Sequence, residues 1–144
     1  MIKFKKGNLF DNYSIPGVIV HGANAQGVMG SGFAKQFKLA FPDAYLDYIN
    51  APQYYLGDLI VTKYSGLLVC SAITQEYYGR SKSTTYVSYK AVAGSMQKVA
   101  ELAGDVPIFI PFIGGGLANG NRAILLDIFE NVFEKSDVTI FTLE

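Results

Sequence analysis

A chain of 144 residues, half of them hydrophobic and rich in tyrosine and phenylalanine, can bury a proper core as one domain and is a poor candidate for disorder. Twelve basic and twelve acidic residues cancel, which removes the electrostatic argument for a nucleic-acid or anionic-membrane surface. One cysteine excludes an internal disulfide and suits a reducing cytoplasm, and no apolar run is long enough to span a bilayer or to serve as a signal-peptide core after the basic Met1 to Asn8.

Taken in order, Ile2 to Phe4 alternates with lysines and reads as a short strand near a sheet edge, with Gly7-Asn8-Leu9-Phe10 turning out of it. Gly17 to Gly22 is apolar on successive residues, the pattern of a strand covered on both faces. A glycine-rich loop follows, and then Phe33, Phe37 and Ala40/Phe41 recur at helical spacing. Pro42 fits the first turn of a second helix running to about Asn50, with Tyr45, Tyr48 and Ile49 as its apolar positions. Asp58 to Lys63 and Leu67 to Ile73 are β-rich runs split by Tyr64-Ser65-Gly66, a hairpin signature. Thr74 to Thr84 is irregular. From Thr85, the positions Tyr86, Tyr89, Ala93, Met96, Ala100 and Ala103 share one helical face, and Gly104 is placed to stop that helix. Val106 to Ile113 reads as a buried strand and Gly114 to Asn121 as a second glycine loop. Ile124, Leu125, Ile128, Phe129, Val132 and Phe133 make an amphipathic helix, and Val138 to Leu143 a closing strand. Interleaved strands and helices with one hairpin predict an α/β fold, a mixed sheet of about six strands between two helical layers.

Ligands of such sheets sit where strand ends feed into helices, and both glycine loops lie there. The first, after Val20-His21, holds Gly27, Gly30 and Gly32. It lacks the Gly-Lys-Ser/Thr ending of a Walker loop, and its spacing is not the dinucleotide fingerprint G-x-G-x-x-G. What remains is a longer loop leading into a helix N-terminus that can face a phosphate. The second, Ile113-Gly114-Gly115-Gly116-Leu117-Ala118-Asn119-Gly120-Asn121, also follows a strand and opens a helix that Asn119 or Asn121 can cap. Two such loops suit a ligand with two phosphates, or with a phosphate and a ribose. The plain alternative for each is a loose connection that binds nothing.

The single histidine, His21, stands where strand meets loop, within reach of a bound phosphate, and is the candidate general acid or base. The competing reading is a satisfied structural histidine. One histidine and one cysteine cannot build a zinc site, no nucleophile pairs with His21 to suggest a triad, and Cys70 reads as inert packing. Asn24 could exchange hydrogen bonds with a ribose or simply form an Asx turn. Tyr77, Tyr78, Arg80 and Lys82 read as surface rather than as a lid.

The segments Gly7-Asn8-Leu9, Val20-His21-Gly22-Ala23-Asn24, Gly30-Ser31-Gly32-Phe33-Ala34, Pro111-Phe112-Ile113-Gly114-Gly115-Gly116-Leu117 and Thr139 to Leu143, in that order, resemble a macrodomain over nearly the whole chain. Within that family they are most similar to the branch of ADP-ribose 1″-phosphate phosphatases and terminal ADP-ribose protein glycohydrolases. The resemblance implies a three-layer α/β/α sandwich that binds ADP-ribose without cofactor or metal. Asn8, with Leu9 beside it, stands at the adenine-binding position, where the family often has an aspartate. Ala23 and Asn24 stand at the distal ribose, and Gly30, Ser31, Gly32 and Phe33 along the pyrophosphate. Ile113, Gly114, Gly115, Gly116 and Leu117 form the facing loop, and Thr74 lies at a neighbouring strand end. The glycohydrolases' lysine and aspartate are here Gln75 and Ala118, which closes their lysine-dependent route and shifts catalysis onto His21. The expectation is a monomeric cytoplasmic macrodomain that hydrolyses ADP-ribose 1″-phosphate, with ADP-ribosylated macromolecules as further partners. Its rivals are a non-catalytic ADP-ribose reader, a de-ADP-ribosylating or deacetylating hydrolase without a lysine, and an interaction protein with no nucleotide.

Overall fold

A computed structural model describes residues 2–79, 84–111 and 120–142, with the backbone alone at Ser31 and Gly32. Six strands and four helices follow in the order β1 (Ile2–Lys6), β2 (Gly17–Asn24), α1 (Ser31–Ala40), α2 (Pro42–Ile49), β3 (Leu59–Tyr64), β4 (Leu67–Gln75), α3 (Tyr89–Ala103), β5 (Ile108–Pro111), α4 (Arg122–Val132) and β6 (Val138–Thr142). A 3-10 turn, Leu9–Asp11, follows β1. The sheet order is β1-β6-β5-β2-β4-β3. Every pairing is parallel except β3 with β4, which are joined through a turn containing Gly66 at φ +75°. Parallel pairing carries the C-terminal ends of β1, β6, β5, β2 and β4 to one rim. The predicted mixed sheet between helical layers is the observed architecture.

Two large cores, and a smaller one of Ala23, Tyr48 and Ile73, hold the layers together. On one face Val18, Val20, Cys70, Ile108, Ile110 and Ile140 meet Val92, Met96 and Val99 of α3 and Leu125 and Phe129 of α4. On the other, Ile19, Val69 and Phe109 meet Phe37, Phe41 and Ala44 from α1 and α2. Alternation along β2 explains both: Val18 and Val20 point one way and Ile19 the other, so the strand is buried almost throughout. Each fully buried Val, Ile or Phe contributes about 1.5–3 kcal/mol, which fixes register, since a one-residue slip would turn β2 inside out. The burial of Cys70 pushes its thiol up to about 12, in keeping with inert packing.

Some boundaries differ from expectation. The helix expected from Thr85 begins at Tyr89, because residues ahead of it are held as extended chain: Val87 bridges to Gln75, and Ser88 N–H donates to Thr74 O at 2.7 Å. Its buried stripe is Ala91, Val92, Ser95, Met96, Val99 and Ala103, while Ala93 and Ala100 are only half-buried. Gly104 ends it at φ +56°, as expected. Ile124, expected on the apolar face of α4, is 44% exposed.

Candidate ligand-binding site

The rim of parallel strand ends is where the candidate site lies. From β2 the chain enters residues 25–30, tied to the end of β4 by Ala25 N–H to Gln75 O (2.8 Å) and by the Gln26 side chain, whose Nε2 donates to Glu76 O (3.1 Å). The loop delivers the chain to Gly30, the N-cap of α1, at φ −60° and ψ 145°. Gly30 is exposed and supplies no side-chain acceptor to the first turn, so the N–H groups that open α1 have no side-chain cap. Such donors, with the positive end of the helix dipole behind them, are a place for an anion.

Asn8 borders the same helix. Its Oδ1 accepts from Phe10 N–H at 3.0 Å and its Nδ2 donates to Gln36 of α1 at 2.9 Å. The amide oxygen keeps a second lone pair, enough to accept one further donor. Leu9, expected as a ligand contact, is 3% exposed and lies in the core with Phe37 and Phe41. Ala23 and Thr74 are likewise buried, and the Thr74 carbonyl is taken by Ser88 N–H. These three support the rim from below; side-chain contact with a ligand does not fit their burial. Phe33 is half-buried, its ring 5.5 Å from Phe10 and 5.1 Å from His21. The expected sites Ile113, Gly114, Gly115, Gly116 and Leu117, with Ala118, lie outside the described residues. So do Arg80 and Lys82, whereas Tyr77 and Tyr78 are exposed.

His21 is the main departure. Its ring is 2% exposed, beneath α1, with Phe33 and Phe37 at 5.1 and 4.6 Å between centroids. Nδ1 lies 3.2 Å from Gly22 O and Nε2 lies 2.7 Å from Ser71 Oγ. A carbonyl can only accept, so Nδ1 carries the proton and the Ser71 hydroxyl donates to Nε2. Desolvation lowers the imidazole from 6.5 to about 4, against the opposing hydrogen bond to Gly22, so the ring is neutral at pH 7. A buried ring with both nitrogens engaged has no face for water or phosphate. The satisfied structural histidine is the reading this geometry supports, and the catalytic expectation for His21 does not fit it. No partner for the histidine is visible in the sequence; Ser71, directly opposite in the β2–β4 register, is one.

Asn24 is similarly engaged. Oδ1 accepts from Gln26 N–H (3.0 Å) and Val28 N–H (3.3 Å), and Nδ2 donates to Val28 O, which is the Asx-turn alternative. Gln75, at the position of the expected lysine, donates from Nε2 to Tyr77 O at 2.7 Å. Among the described residues no group of three or more His, Cys, Asp or Glu could hold a metal, and no helix is long and apolar enough to cross a membrane.

Solved structures share this fold. A macrodomain protein from Streptomyces coelicolor superposes with a TM-score of 0.79 at 21% identity, covering 99% of each chain. The chain has the macrodomain fold. A Trypanosoma brucei macrodomain in complex with ADP-ribose matches 97% of this chain and 62% of its own, with a TM-score of 0.67 and 15% identity. Among curated proteins, the chain is 32% identical over 87 residues to an ADP-ribose 1″-phosphate phosphatase of Saccharomyces cerevisiae, a match that covers 56% of the chain and 49% of that protein. It is 45% identical over 51 residues to a DNA ADP-ribosyl glycohydrolase of Thermus aquaticus, 35% of the chain and 14% of that protein. It thus spans about half the length of the first relative and a small part of the second. The branch named by these relatives is the one the motifs resemble. No protein-family model matches the chain.

Proposed function

We propose that this macrodomain binds ADP-ribose on the rim of parallel strand ends, with the pyrophosphate against the opening of α1 and the adenine towards Asn8. The observation that carries the reading is the exposed, uncapped start of α1 at the end of residues 25–30. It offers backbone donors and a helix dipole to an anion. The curated relatives, both named for ADP-ribose chemistry, agree with a pyrophosphate as that anion. Calorimetric titration with ADP-ribose should give saturable heat at a single site. No heat at millimolar nucleotide would overturn the proposal.

A second reading, hydrolysis of ADP-ribose 1″-phosphate to ADP-ribose and phosphate, is favoured by the similarity to the yeast phosphatase. In it water adds to phosphorus, the P–O bond to the ribose breaks, and the departing oxygen takes a proton. Backbone N–H groups would stabilise the charge that develops on the phosphoryl oxygens. The buried His21 is not placed to move the proton. Phosphate released from the 1″-phosphate no faster than in buffer would leave the chain as a binder, the same chemistry a reader of ADP-ribosylated macromolecules needs.

A further inference from the structure

We propose that Tyr48 is a positioning residue that holds the ligand loop in its binding shape, and that it acts through Asn24. The proposal rests on the ADP-ribose reading of the site. Both polar atoms of the Asn24 side chain are engaged within residues 24–28: Oδ1 accepts from the N–H groups of Gln26 and Val28, and Nδ2 donates one of its two N–H groups to the carbonyl of Val28. Such an amide shapes a loop.

Beneath it, Tyr48 of α2 is fully buried, with its hydroxyl 2.8 Å from Asn24 O and 2.9 Å from Asn24 Oδ1. One proton is shared between two acceptors of the same residue. The phenol oxygen thus ties α2 to the start of the loop from below. Tyr54 extends the support, donating from its hydroxyl to Tyr48 O at 2.6 Å. The loop apex presses on it: Gly27 sits at φ +72°, and a Cβ there would lie 2.5 Å from the Tyr54 hydroxyl oxygen. Helix α2, which supplies no residue to the rim, thus sets the course of residues 25–30 and through them the aim of the donors at the start of α1.

Tyr48→Phe removes one oxygen and keeps the ring. It should raise hydrogen exchange of the amides in residues 24–30 by about tenfold while α3 and α4 keep their protection, as one lost buried hydrogen bond implies. ADP and ADP-ribose should weaken by the same factor, about tenfold, since both need the pyrophosphate donors and only one has a distal ribose. Asn24→Ala should show the same equal loss. A loss confined to ADP-ribose in the Asn24 variant would mark a ribose contact and overturn the proposal, as would unchanged exchange in Tyr48→Phe. Should Tyr48→Phe not fold, Tyr54→Phe removes the outer hydroxyl of the same support and must move exchange in the same residues to a smaller extent. If the unmodified protein binds neither nucleotide, the ADP-ribose reading fails, while exchange in residues 24–30 still decides whether Tyr48 holds the loop.

Discussion

Helices α1 and α3 start alike, each on an extended residue after a strand end, but their first turns are finished differently. Ser88 folds its hydroxyl back to accept from Ala91 N–H at 3.2 Å, and Asn121 does the same for Ile124 N–H at the start of α4. Gly30 has nothing to fold back. A third case, α2, also lacks a side-chain cap but begins with proline, which removes a donor. Where the chain needs only a helix it closes the N-terminus with its own side chain. Where it leaves donors open, a glycine loop leads to them and the rim of strand ends surrounds them. The difference sets the helix start at the proposed site apart from the capped ones more sharply than the glycine content of either loop.

The contrast can be broken most severely at Gly30. A Cβ there meets nothing within 4 Å and the backbone is unstrained, so Gly30→Asp is sterically free. The carboxylate would cap α1 and place a negative charge where a pyrophosphate would lie. Calorimetry should show ADP-ribose affinity falling by about a thousandfold, the scale of a like-charge juxtaposition. Thermal stability should hold or rise by about 0.3 kcal/mol.

The layer beneath α1 differs from that beneath α3 in holding a buried ionisable ring, and acidification tests it. The folded state lowers His21 from 6.5 to about 4, so the unfolded chain binds the extra proton. The stability tied to the neutral ring is complete above pH 6.5, and it is lost as pH falls towards 4, by up to about 3 kcal/mol. Denaturant titrations at pH 7 and pH 4.5 should show the fall, and a His21→Gln variant should flatten it. At the small end, Ser88→Ala and Asn121→Ala should each lower stability by about 1 kcal/mol in chemical denaturation. Neither should move nucleotide affinity, because those caps serve helices alone.

Much of the fold could be read from the chain because its signals are local. The unbroken apolar run Val18 to Val20, the Tyr64-Ser65-Gly66 turn, Pro42 and Gly104 each act within a few residues, and each marks the element expected. What could not be read depends on partners far along the chain. Ser71 stands fifty positions from His21 and meets it only through the parallel β2–β4 register. That meeting turns an apparent catalytic group into a buried one. Tyr48 read as an apolar helix position because its ring is apolar; its hydroxyl acquires a role only when α2 packs under Asn24. The late start of α3 has the same origin, since pairing of Val87 with Gln75 overrides a helical pattern that begins earlier. The positions of the first loop were legible, and the division of labour within it was not.

The sheet order has a bearing on how the chain assembles. Among the described residues β1 is an edge strand whose one neighbour is β6, with Ile2 opposite Val138. Within this sheet β1 is therefore made well before its partner, and closing so long a loop carries an entropy that local elements avoid. β2 and β4, by contrast, can pair while β5 and β6 are still to come. The order of synthesis thus favours an early centre and a late edge. The turn bearing Asn8 is carried on that edge, with Gly7 N–H donating to Thr142 O at 2.8 Å, so one end of the candidate cleft is completed only when the sheet itself is.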